Sequence, residues 1–228
     1  MDSFFMIALI RDIAEGISFI HDSSHLRYHG EISSRTCLID ERWQVKISLY
    51  GMHAFNEKKD TETLLWCAPK IIRSDGEIYG SSAADIYSFA MTTSEIVTQK
   101  PVLNLGESEL DPEEIIYRVK KVNKNEFRPP LLTGDSASEV NPSLLHLIRD
   151  CWSEEPSDRP NIKTVQNLLK TMHTGKAKNL MDHVFHSDAY LVVSGIPIRN
   201  GNQHAADIAQ MSMGFLKAIK KFKIPHVI

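Results

Sequence analysis

The chain has 228 residues, 42% of them hydrophobic and 24% charged, with a formal net charge of −3. This is the mix of an ordinary globular protein, long enough for one large domain or two small ones. The charge excludes the basic footprint of a nucleic-acid or anionic-membrane binder. Cys37, Cys67 and Cys151 are odd in number and form no C-x-x-C pair, so free thiols are expected, with neither a disulfide framework nor a zinc site. The apolar run Phe4 to Ile10 ends at Arg11 and Asp12, well short of the roughly 20 apolar residues of a membrane span. No basic stretch precedes it, so the chain as written reads as soluble and cytoplasmic, without an export signal.

In chain order, the first element is a helix. Asp2 or Ser3 can cap it, and Phe4, Ile7, Ala8, Ile10, Ile13, Ala14, Ile17 and Ile20 repeat at helical spacing. A helix this apolar at the very start implies a missing upstream partner. Cys37–Ile39 and Gln44–Ile47, separated by Asp40, Glu41 and Arg42, read as a small hairpin. Ser82-Ala-Ala-Asp85 reads as a capping box ahead of an apolar run through Val97. Asp111-Pro112-Glu113-Glu114 and Asn141-Pro142 each place a cap and an N1 proline at a helix start. A further helix follows Pro160, with Ile162, Val165, Leu168 and Leu169 on one face and Gly175 as its stop. Beyond it, Lys176–His186 is helical at best, Tyr190–Val193 is β-prone, and His204–Phe222 has helical spacing. The best domain division falls near residue 175.

Five markers run through residues 1–170: Tyr28-His29-Gly30-Glu31, the Lys46-to-Gly51 segment, Trp66-Cys67-Ala68-Pro69-Lys70, Asp85-Ile86-Tyr87-Ser88-Phe89, and Cys151-Trp152 with Asp158-Arg159-Pro160. In this order and spacing they resemble the C-lobe of protein kinases. A kinase uses an H-R-D-L-x-x-x-N loop whose aspartate orients the acceptor hydroxyl and whose asparagine holds magnesium, with a second metal anchor in D-F-G. Here Glu31 stands at the base position, one methylene longer, Thr36 replaces the asparagine, and Leu49-Tyr50-Gly51 replaces D-F-G. Losing both anchors removes the main electrostatic contribution to phosphoryl transfer, so a pseudokinase is expected. Asp85 matches the aspartate that supports the loop backbone, a structural role. Arg159 matches an arginine that pairs with the glutamate of A-P-E, but that position is Lys70, so Arg159 is expected to find Asp158, Glu154 or Glu155, or to sit in a looser corner. Trp66 and Trp152 are expected in the core.

The H-G-E variant, the lost D-F-G aspartate and the R-D-C-W-S-E-E-P-S-D-R-P stretch resemble the kinase-homology domain of membrane receptor guanylyl cyclases. Asn179-Leu180-Met181-Asp182-His183-Val184-Phe185 is similar to the start of that family's signalling coiled coil. Asp188-Ala189-Tyr190-Leu191-Val192-Val193-Ser194-Gly195-Ile196-Pro197 resembles a strand of the class III cyclase domain, continued by Arg199-Asn200-Gly201 and His204-Ala205. The resemblance implies a kinase-like C-lobe at 1–174, a coiled-coil start at 175–187 and a partial cyclase domain at 188–228. The fold class is then mainly α, followed by an incomplete α/β piece of strand plus helix.

The family reaction converts GTP to cyclic GMP and pyrophosphate on two magnesium or manganese ions held by two aspartates. Asp188 matches the second. The first has no counterpart, the guanine-reading position is Val184, Ser187 stands in place of a glycine, and the transition-state asparagine and arginine are absent. The sequence thus jumps from the coiled-coil start into the middle of the cyclase domain, as a splice variant, a truncated gene or a faulty gene model would. Asp182, His183, His186 and Asp188 have metal-ligand side chains, and His183 and His186 could share a helix face. The join of coiled coil to strand accounts for them better than a metal site does.

Three functional readings stand open: part of a cyclase enzyme, a regulatory module pairing with full-length cyclase subunits as homodimer or heterodimer, and a non-functional product. The family is single-pass in the plasma membrane with these domains on the cytosolic side, though this chain has no transmembrane segment. Tyr190–Val193 is expected to have lost its strand neighbours.

Overall fold

The computed structural model describes residues 3–51, 59–102, 111–121, 127–131, 140–174, 182–186 and 189–193. The chain divides into two units, Met1–His173 and Thr174–Ile228.

The first unit is mainly helical. Helix α1 (Ser3–Asp22) buries Ile7, Ile10, Ile13, Ala14, Ile17 and Ile20, the stripe expected from spacing. It packs on β2 and on α3. Gly16 permits the closest approach, since a Cβ there would meet Ile47 Cδ1 at 2.7 Å. Strands β1 (Cys37–Ile39) and β2 (Val45–Ile47) form the expected antiparallel hairpin, in the register Cys37–Ile47 and Ile39–Val45. Asp40 shapes its turn by accepting from the Arg42 and Gln44 amides. A 3-10 turn at Thr63–Trp66 leads into the short helix α2 (Pro69–Arg73).

Helix α3 (Ser82–Thr98) lies in the middle of the core, packed against α1 and α5 (Pro142–Cys151). Its cap differs from expectation. Ser81, not Ser82, is the N-cap and accepts from the Ala84 amide at 3.1 Å. Ser82 instead donates to the Arg27 carbonyl, and Asp85 points away from the cap altogether. The capping-box pattern was satisfied in sequence, but a deeper partner took the carboxylate. Helix α4 (Pro112–Lys120) begins at Asp111 without a side-chain cap bond, and Asn141 caps α5 by accepting from the Ser143 amide. In α6 (Ile162–Thr174) Ile162, Val165 and Leu169 are buried, whereas Leu168 is half exposed and off the stripe. Gly175 as the stop of this helix and Asp2 as a cap lie outside the described residues. Trp66 and Trp152 are core residues, as expected.

The second unit corrects two expectations. Asp182–His186, expected to be helical at best, is a strand, β3, and it pairs antiparallel with β4 (Ala189–Val193). Tyr190–Val193 therefore has a strand neighbour, supplied by the adjacent segment. Two runs a few residues apart pair their backbone groups with each other, and β4 is rich in the β-branched and aromatic residues that favour a strand. The expected helix over His204–Phe222 lies outside the described residues.

Candidate functional site

The residues that match the kinase catalytic loop converge on one buried carboxylate. Asp85, on the first turns of α3 and 1% exposed, accepts from the His29 amide at 2.7 Å and the Gly30 amide at 2.8 Å. His21, at the end of α1, places Nε2 2.9 Å from the same carboxylate. Asp85 thereby ties the end of α1, the loop and the start of α3 together. Gly30 makes the turn with φ +87, a conformation open to a residue without Cβ.

His29 is oriented by bonds that assign its proton. Nδ1 accepts from the Glu31 amide at 3.1 Å, so the ring proton sits on Nε2, which donates to the Ser48 carbonyl at 2.8 Å. Burial holds this imidazole below its ordinary value of 6.5, against the Ser48 carbonyl and the nearby Asp85 and Glu31 carboxylates, which pull the other way.

At the position of the kinase asparagine, Thr36 is buried and turned inward. Its hydroxyl donates toward the Glu31 carbonyl at 2.9 Å and the Ser33 carbonyl at 3.1 Å, and accepts from the Ser33 amide at 3.0 Å. Leu49 is an aliphatic side chain 54% exposed, held at φ +62. Neither residue offers the carboxylate or free amide oxygen by which a kinase loop anchors magnesium, so the pair does not fit that ion. Among the described residues no group of three or more His, Cys, Asp or Glu is placed to hold a metal ion. Glu31 is half-buried at the loop. Asp188 lies outside the described residues. His183 and His186 lie on strand β3 and not on the helix considered for them.

Arg159 reaches Glu154, one of the residues expected for it, through the backbone carbonyl and not the carboxylate. It donates to the backbone carbonyls of Ser153 (2.8 Å), Ala83 (2.9 Å) and Glu154 (3.0 Å), and its guanidinium lies 5.1 Å from the Tyr87 ring centroid. Glu154 pairs instead with Arg73 at 2.6 Å and Arg128 at 3.0 Å. Burial alone would raise the Glu154 carboxyl, and the two guanidiniums more than offset it, leaving it below the usual range. The corner is filled by oriented carbonyl dipoles and an aromatic face, not by a carboxylate.

One loop contact escaped the sequence reading. Lys59 donates to the Gly30 carbonyl and approaches the Cys67 thiol at 3.7 Å. No periodicity or motif marks such a side chain. His21 pairing with Asp85 across 64 residues was hidden for the same reason.

The model of the family "Protein tyrosine and serine/threonine kinase" matches residues 3–169. The chain is 34% identical to the receptor-type guanylate cyclase gcy-14 of Caenorhabditis elegans over 334 residues, covering all of this chain and 30% of the relative. It is 43% identical to the receptor-type guanylate cyclase gcy-4 of Caenorhabditis briggsae over 200 residues, covering 81% of this chain and 17% of the relative. It is 41% identical to the receptor-type guanylate cyclase gcy-1 of Caenorhabditis elegans over 188 residues, again covering 81% of this chain. The chain thus spans less than a third of the length of these curated relatives.

Proposed function

Because the chain belongs to the protein tyrosine and serine/threonine kinase family and is homologous along its whole length to receptor-type guanylate cyclases, we propose that residues 1–174 are the C-lobe of a receptor cyclase's kinase-homology domain and act as a non-phosphorylating scaffold. The observation that carries this is the Thr36 hydroxyl, bound into the loop while Leu49 stands at the other metal anchor. The Asp85 network keeps the loop's shape where its phosphoryl-transfer chemistry has no support. Incubation of the purified chain with magnesium, labelled ATP and a generic protein substrate should transfer no phosphate above background. Transfer abolished by Glu31→Gln would sink the proposal.

Residues 175–187 then form the beginning of the linker, and 188–228 a partial cyclase domain. The lengths of the alignments support an internal loss. Aligning all 228 residues takes 334 positions, so at least 106 residues of that relative have no counterpart here. Alignments covering 81% of the chain run only 188 residues with gcy-1. Sequencing the transcript across residues 180–195 tests the junction, and a continuous linker and cyclase domain in the transcript would show it to be artificial.

With one metal aspartate by resemblance, Asp188, this chain does not complete the family's GTP-to-cyclic-GMP site on magnesium or manganese. Its role is to pair with a full-length receptor cyclase on the cytosolic side of the membrane. Purified chain given GTP and manganese is expected to make no cyclic GMP, and co-precipitation with a full-length relative is the positive test.

A further inference from the structure

A cavity of about 190 Å³ opens beside α2, the turn that follows it and the end of α4. Leu64, Ile71 and Ile72 give it an aliphatic lining, and Ile78, 38% exposed, adds apolar surface that solvent still reaches. Two ammonium groups also line it, and they differ. Lys120 is neutralised by Asp75 at 2.6 Å. Lys59 is partly buried and donates to the Gly30 carbonyl and toward the Cys67 thiol, a thiol that burial holds in its neutral form. Among the described residues no carboxylate lies within ion-pair distance of Lys59.

A partly desolvated cation beside an apolar wall favours an incoming anion that carries apolar surface with it. Volume sets the scale of the occupant. Pockets that enclose whole small-molecule ligands run roughly 300–1,000 Å³, so this one accepts a single anchoring group rather than a cofactor.

We propose that this cavity is a docking socket for an acidic peptide segment of a protein partner, in which one leucine- or phenylalanine-sized side chain packs on Leu64, Ile71 and Ile78 while a neighbouring carboxylate pairs with Lys59. The proposal does not depend on the cyclase reading, since its residues all belong to the kinase-like unit. It gives that unit a way to bind without catalysing.

The test titrates the full chain into fluorescein-labelled Gly-Glu-Phe-Glu-Gly and follows fluorescence anisotropy. Saturable binding is expected in the micromolar-to-millimolar range, weakened about fivefold or more by Lys59→Gln and by Ile78→Asp. Ile78 is already solvent-accessible, so its variant should melt with the parent chain even if Lys59→Gln disturbs the loop. The charge-reversed Gly-Lys-Phe-Lys-Gly should bind about tenfold more weakly. The proposal is overturned if the two peptides bind alike, if neither binds at millimolar concentration, or if Ile78→Asp binds as the parent does. Hexanoate binding as tightly as the acidic peptide would assign the cavity to a small-molecule carboxylate and overturn the peptide reading.

Discussion

At the scale of single residues, His29 links stability to pH. Its Nδ1 already accepts from Glu31, so protonation must break that bond. The folded state therefore resists a proton that the unfolded chain takes up from about pH 6.5 downward. More protons bind to the unfolded state in that window, so stability is lost as pH falls through it. His29→Leu should be less stable than the parent at pH 8, with a gap that narrows toward pH 5. Urea unfolding at several pH values measures this, and a constant gap would refute it. Arg159 provides a second residue-scale case. Removing its donors leaves the Ser153 and Glu154 carbonyls without these bonds, at about 1–3 kcal/mol for each buried group left unsatisfied, while the Ala83 carbonyl lies within helix α3. Arg159→Met should therefore cost about 3 kcal/mol or more in chemical denaturation. Lys70→Glu, which restores the family's carboxylate, should change stability by less than about 0.5 kcal/mol, because Lys70 is exposed and Arg159 is already engaged. A gain above about 1 kcal/mol would show that the corner had been waiting for its carboxylate.

Individual elements show where a local pattern wins and where it yields. Ser81 caps α3, so Ser81→Ala should cost about 1 kcal/mol and Ser82→Ala clearly less. Urea denaturation separates the two, and the reverse order would restore the capping-box reading. The stripe of α1, the hairpin at 37–47 and the starts of α4 and α5 were legible in the sequence because each is set by periodicity or a cap within a few residues. The Asp85 network was half legible: its aspartate stood out by resemblance, whereas His21 did not, because a pairing across 64 residues leaves no local trace. Arg159 was legible in part: Glu154 stood among its expected partners, but backbone carbonyls and a ring face, which have no sequence signature, meet the guanidinium. Asp182–His186 was read from a helical resemblance and became a strand because a compatible strand lay next to it.

Taken whole, the kinase-like unit exposes several large apolar side chains around its hairpin. Leu38, Ile39, Trp43, Leu49 and Tyr50 are all more than half exposed, on or just beyond the β1–β2 hairpin. Exposed apolar side chains promote association. Replacing Leu38 and Ile39 by threonine keeps β propensity and removes apolar area, so it should raise the concentration at which the protein stays monodisperse in light scattering while melting stays near that of the parent. Unchanged association would place the sticky surface elsewhere. The Asp85 anchorage has a further consequence. It holds the catalytic-type loop by main-chain amides, which every residue except proline supplies, and not by the side chains that would perform chemistry. This anchorage therefore survives a change of side chain at a position such as Glu31, which takes no part in it. A fold fastened in this way is free to drift out of catalysis and remain a recognisable shape for other proteins to grip.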